Sequence, residues 1–173
     1  MASYIIEGNF IGFSKSGYLN LYPQQLGLIA ITEAIFRVVG TYQYLVFQYI
    51  NAISVPISIY LGYKVNGVLF QNKKIELCYS MLAAGCFPLY FYTSFVYGEV
   101  LSLMLSLLLV WAVIMYCKTN KLKWILVAIP AAALDYLVRT NTLILIFAIF
   151  LIFIVYAFSK KIWLYLLMAV LLI

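Results

Sequence analysis

Long apolar runs separated by short polar breaks dominate the chain. A helix that crosses the ~30 Å hydrocarbon core of a bilayer needs about 20 mainly apolar residues. Runs at 43–63, 75–92, 97–117, 124–138 and 142–158 approach or reach that length, and these five are expected to be membrane helices. A further run, 162–173, stops after 12 residues, too few to cross at about 1.5 Å each. It is expected to be an incomplete helix. Pro130 interrupts the 124–138 run, and Asp135, Arg139 and Asn141 cluster before the next run starts. Two short apolar pieces joined by polar residues predict a tight hairpin or a broken helix. A membrane tolerates such irregular backbone only where protein or water covers it, and such breaks commonly line a site.

The stretch 23–39 differs. Pro23 suits a first helical position. Leu26, Ile29, Ala30, Ala34 and Val38 recur at helical spacing, while Gln25, Glu33 and Arg37 fall on another face. Glu33 and Arg37 make a favourable i,i+4 pair. This pattern predicts an interfacial amphipathic helix on the outer surface; a short span placing residues 1–22 inside is the alternative. With 1–22 as an extracytoplasmic loop, the expected fold is all-α: a multi-pass transmembrane helical bundle with an outer-surface amphipathic helix. Residues 1–173 then read as a single, partial membrane domain.

Composition supports this class. The chain is 67% hydrophobic and 9% charged, against about 25% charged residues in soluble domains, which excludes an ordinary soluble protein. Disorder needs low hydrophobicity and is excluded too. The net charge of +6 suggests topology rather than nucleic acid. Lys64, Lys73 and Lys74, then Lys118, Lys121 and Lys123, then Lys160 and Lys161 occupy alternate loops, as cytoplasmic loops do. The loops at 93–94 and 139–141, and the N-terminal segment through Tyr42, are then extracytoplasmic, in a multi-pass protein of the cell membrane. The opening MASYIIEGNF has no basic region followed by an apolar core, unlike a signal peptide. The absence of histidine excludes imidazole catalysis and His-based metal sites. Cys78, Cys86 and Cys117 lack metal-ligand spacing and read as small buried hydrophobes.

Ionisable residues inside apolar runs are the first candidates for function. Asp135 and Arg139, four apart, would share a helix face and neutralise each other as a structural pair. Alternatively Arg139, with Asn141, binds an anionic group such as a lipid phosphate, whose oxygens match the planar guanidinium. Glu99 opens the third run; it is either a carboxylate favoured by the helix dipole or, with Tyr97, the rim of an outward cavity where Gly98 lets the backbone approach closely. Tyr18, Tyr22, Gln24 and Gln25 form either an interfacial aromatic belt or a surface for a sugar or lipid headgroup. Phosphate loops, metalloprotease helices and nucleophile elbows are absent.

Three blocks resemble a known family. They are Gly8-Asn9-Phe10 with Gly17-Tyr18 and Tyr22-Pro23-Gln24-Gln25-Leu26-Gly27; Phe87-Pro88 through Thr93-Ser94 to Tyr97-Gly98-Glu99; and Arg139-Thr140-Asn141. In order and placement they are similar to the GT-C class integral membrane glycosyltransferases. The nearest group is a mostly Firmicute branch related to protein mannosyltransferases and ArnT-like sugar transferases. The resemblance implies transfer of a sugar, with inversion, from a polyprenyl-phosphate carrier to a cell-envelope acceptor on the outer face. An acidic residue of the first outer loop would be the general base, and Arg and backbone donors would hold the departing phosphate. It makes Tyr22, Gln24, Gln25, Tyr97, Glu99, Arg139 and Asn141 the candidate substrate-binding residues. The family's first helix and its acid precede the first block, so they are expected upstream of Met1. The chain is expected to be an N- and C-terminally truncated fragment, inactive alone. Its expected partners are membrane lipid, the polyprenyl-phosphate sugar and the remainder of the enzyme, not nucleic acid. No cofactor or metal site is implied, and a divalent metal stays open. The competing readings are a component of a membrane transporter, with its site near the midplane, and a structural membrane protein.

Overall fold

The computed structural model describes residues 1–14, 17–40 and 43–160, with side chains as far as 156. The helices are α1 (Ala2–Ile6), α2 (Tyr18–Leu21), α3 (Leu26–Val39), α4 (Leu45–Phe70), α5 (Lys73–Ala84), α6 (Phe87–Phe91), α7 (Glu99–Thr119), α8 (Lys123–Val138) and α9 (Leu143–Lys160). Single 3-10 turns lie at Ile11–Phe13, Pro23–Gln25, Tyr92–Ser94 and Thr140–Thr142, and the described residues contain no strand. The all-α membrane bundle is therefore observed. The expected incomplete helix at 162–173 lies outside the described residues.

Two single helices, α4 and α7, are long and apolar enough to cross a membrane. The run expected as one span at 75–92 is bent: α5 and the segment Phe87–Ser94 meet at 51° across a short break. Pro88 stands in the first turn of α6, where its missing N–H removes no intrahelical bond. At 16 residues, α8 is about 24 Å long, shorter than the hydrocarbon core. Pro130 does not interrupt it; the helix runs through to Val138 and the break follows at Arg139. The expected loop 1–22 contains α1 and α2.

Helix ends follow local rules at one end of the bundle. Gln71 and Asn120 close α4 and α7 in the left-handed conformation. The Asn72 side chain accepts from the Lys74 N–H at 3.0 Å and caps α5. Lysines gather here. Lys118 Nζ donates to the Val68 carbonyl at 2.7 Å, and Lys73 Nζ reaches Tyr63 Oη and Glu76 Oε2, each at 3.3 Å. Glu76 is buried, and a Cβ on Gly67 would lie 3.0 Å from its Oε1.

The core has two parts. Leu109, Ala112, Val113 and Tyr116 of α7 pack with Ala128, Ala131 and Ala132 of α8 and Ile146, Ile149 and Phe153 of α9. The alanines let α7 and α8 approach closely, which matters where packing rather than water exclusion holds helices together. Leu28 of α3, Phe47 of α4, Leu105 of α7 and Val138 of α8 form the second part, which seats α3 across the other end of the bundle.

Two side-chain expectations need correction. The buried face of α3 is Leu28, Thr32 and Phe36, flanked by Ile31 and Ile35, whereas Leu26, Ala30, Ala34 and Val38 face outward. Cys78 and Cys86 are exposed and Cys117 is half-buried. For α3 and Cys78 the cause is that apolar residues cover both the buried and the outward face of the helix, so composition does not mark which is which; Cys86 lies in the break between α5 and α6.

Candidate functional site

The polar residues converge where α7 begins and α8 ends. Gly98 precedes α7, and Glu99 is the first helical residue. A Cβ on Gly98 would stand 2.5 Å from Val138 Cγ1 and 3.1 Å from its carbonyl oxygen, so glycine permits the contact between the two helix ends. Gly27 plays the same part for α3, since a Cβ there would collide with the Leu137 carbonyl. Beyond Val138 the chain turns extended, with Arg139 at φ −148° and ψ 117°.

That exit decides the pairing. Arg139 has left the helix, so it does not make the i,i+4 pair with Asp135 expected from spacing. Its Nη1 instead meets Glu99 Oε1 at 2.7 Å, with both side chains 36% exposed. Asp135 is 0% exposed. Its carboxylate accepts from the Ser102 and Ser106 hydroxyls, each at 2.5 Å, while its backbone carbonyl accepts the Arg139 N–H at 2.8 Å and the Thr142 hydroxyl at 3.4 Å. Glu99, Ser102 and Ser106 stand at i, i+3 and i+7, one face of α7 turned to α8. Glu99 Oε2 is buried and meets no hydrogen-bond partner among the described residues.

Around this pair lies a pocket of about 80 Å³. Of the seven candidate substrate-binding residues, Gln24, Gln25, Tyr97, Glu99, Arg139 and Asn141 line it, together with Leu28, Gly98, Val138 and Thr140. Tyr22 does not; it is exposed, with its ring 5.1 Å from that of Tyr18. The expected Glu33–Arg37 pair is present at 2.8 Å but lies outside the pocket.

Two larger spaces adjoin the pocket. A groove of about 680 Å³ shares Glu99, Arg139 and Asn141 and passes between α7 and α9 along Leu103, Ile144, Leu145 and Ala148. A cavity of about 320 Å³ shares Gln25, Leu28 and Tyr97 and extends beneath α1 to Tyr18, Thr32 and Phe36. Arg139 faces the Glu99 carboxylate, the amides of Gln24, Gln25 and Asn141 and the Tyr97 phenol, so an oxyanion with hydroxyl groups would share the guanidinium's donors with Glu99. Among the described residues no group of three or more His, Cys, Asp or Glu is placed to hold a metal.

Several residues at this end were missed from sequence: Ser102 and Ser106 on α7, Thr142, and Gln48 and Asn51 on α4. The available signal was polarity inside apolar runs, but serine is common there, and its partner is invisible without the fold.

A family model described as dolichyl-phosphate-mannose-protein mannosyltransferase matches residues 26–173. No curated protein and no solved structure matches the chain.

Proposed function

The chain belongs to the dolichyl-phosphate-mannose-protein mannosyltransferase family, and from that premise we propose that its pocket holds the phosphate of a polyprenyl-phosphate donor, with the sugar in the adjoining cavity of about 320 Å³, at the outer face of the cell membrane. The lysine-bearing end then faces the cytoplasm, and the sugar passes to a cell-envelope acceptor. The observation that carries this reading is the adjacency of two unlike spaces: the polar pocket and the apolar groove between α7 and α9 share Glu99, Arg139 and Asn141 as common walls. An amphipathic donor has the same division, with its charged head at Arg139 and its prenyl chain along Leu103, Ile144 and Leu145.

In the transfer, an acceptor hydroxyl oxygen bonds to the anomeric carbon while the bond from that carbon to the phosphate oxygen breaks. The phosphate keeps the electron pair. Arg139 and the Asn141 amide stabilise the charge that grows on it. The hydroxyl proton goes to a carboxylate. An inverting displacement places that base and the leaving group on opposite faces of the sugar. Glu99 is 2.7 Å from Arg139, on the leaving-group side. Its role is to orient the guanidinium, and the base in this reading is the acidic residue of the first outer loop that the family resemblance implies. The pocket lies at helix ends rather than halfway along α7 and α8, which favours a transferase over a transporter.

Binding of farnesyl phosphate, farnesol and inorganic phosphate to the full chain in nanodiscs tests the reading. Farnesyl phosphate should bind best, and Arg139→Ala should weaken it about 10- to 100-fold, the loss of hydrogen bonds to a charged group. Equal affinity for farnesol, or no effect of Arg139→Ala, contradicts it.

A further inference from the structure

The Tyr97–Glu99 wall of the pocket hangs on backbone that has left helical geometry. Tyr92–Ser94 is a 3-10 turn and Phe95 is extended. Carbonyls outside a helix lack an in-segment partner and are costly to leave bare in apolar surroundings. Two of them are taken by α4. Gln48 Nε2 donates to the Ser94 carbonyl at 2.5 Å, and Asn51 Nδ2 donates to the Phe95 carbonyl at 3.0 Å.

The two amides are three residues apart, on one face of α4. Asn51 is 0% exposed, and its Oδ1 meets no partner among the described residues. Burying an amide in an apolar span is expensive. Ser54 and Ser58, further along the same helix, meet that cost locally, donating to the Ile50 and Ser54 carbonyls at 2.8 and 2.7 Å. Gln48 and Asn51 instead direct their donors 46 and 44 residues along the chain. On the far side of the wall, Gly98 lies against Val138.

We infer that Gln48 and Asn51 are positioning residues: together they clamp the 94–95 backbone to α4 and so hold Glu99 at the height where it meets Arg139. The clamp is a statement about geometry; what the wall serves rests on the proposed function.

The test places a reporter thiol at Val100, next to Glu99 and 2% exposed. The full chain carries Val100→Cys with Cys78, Cys86 and Cys117 changed to Ser, and its modification by a water-soluble maleimide is timed in vesicles. Losing one or two hydrogen bonds of ordinary strength should speed modification about three- to tenfold in Gln48→Met/Asn51→Leu. Gln48→Lys, which keeps a donor, and Ser58→Ala, on the same helix, should leave the rate unchanged. If the double variant does not fold, Gln48→Met alone carries the test, because Gln48 is only half-buried. A rate within about twofold of the parent, or equal acceleration by Ser58→Ala, overturns the clamp. Farnesyl phosphate binding separates the two claims. If the unsubstituted chain does not bind it but the thiol is accelerated, the donor reading falls and the clamp stands. Binding without acceleration has the opposite meaning.

Discussion

The two ends of the bundle solve the same problem differently. At the lysine end, helices stop by local means: left-handed Gln71 and Asn120, and the Asn72 cap. The lysines there lie against neighbouring carbonyls, carboxylates and rings. At the opposite end, the chain leaves its helices through 3-10 turns at Pro23–Gln25, Tyr92–Ser94 and Thr140–Thr142. These are held by contacts from far along the chain: Gln48 and Asn51 to 94–95, Arg139 to Glu99, Gly27 to Leu137. Two unpartnered oxygens, Glu99 Oε2 and Asn51 Oδ1, are also at this end, and at the lysine end Trp124 Nε1, a donor, is left without a partner among the described residues. The lysine end has one such long-range bond, Lys118 to the Val68 carbonyl, but its helix ends are closed mainly by their own caps; the opposite end, with acceptor oxygens left unused beside a pocket, has more to offer a ligand. Departures from local rules are expected where function sits.

Substitutions at the two ends should therefore behave differently. The largest effect is expected at Phe47, 0% exposed in the cluster joining α3, α4, α7 and α8. Phe47→Ala should destabilise the protein by about 3–5 kcal/mol, seen as a lower midpoint of thermal unfolding in detergent. Next, Gly27→Ala forces α3 away from the Leu137 carbonyl. It should cost about 1–3 kcal/mol and lower farnesyl phosphate affinity as Gln24 and Gln25 move off the pocket. Ser102→Ala leaves the buried Asp135 with one hydroxyl partner fewer, a loss of about 1–3 kcal/mol for a buried polar group left unsatisfied. At the lysine end, Asn72→Ala should cost only about 1 kcal/mol and leave farnesyl phosphate binding unchanged. A large binding loss there would erase the contrast between the ends. The smallest effect is expected of Lys73→Ala, an exposed, solvent-screened ammonium paired with Glu76, whose midpoint of thermal unfolding should move least of the five.

Much of the architecture was legible because membrane helices are written in apolar length, and lysines of alternate loops do gather at one end of the bundle. The break after Val138 was legible too, since Arg139, Thr140 and Asn141 interrupt two apolar runs. Six candidate residues from three distant blocks meet around one pocket. The partner of Arg139 was not legible: spacing assumed the helix continued past Val138, and an exit one residue earlier turns the side chain from Asp135 to Glu99. The buried face of α3 was hidden because its outward face, with Leu26, Ala30, Ala34 and Val38, is as apolar as its buried one. Gln48 and Asn51 were hidden because their partners are carbonyls, which have no sequence signature.

The central claim is that the polar pocket and the apolar groove take one amphipathic ligand. A farnesyl phosphate carrying a diazirine at the end of its chain, photolysed with the full protein in vesicles, tests this most directly. The account places the labelled residues along Leu103, Ile144, Leu145 and Ala148, with labelling lost in Arg139→Ala. Labelling spread evenly over the lipid-facing helices, or unchanged in Arg139→Ala, would contradict it.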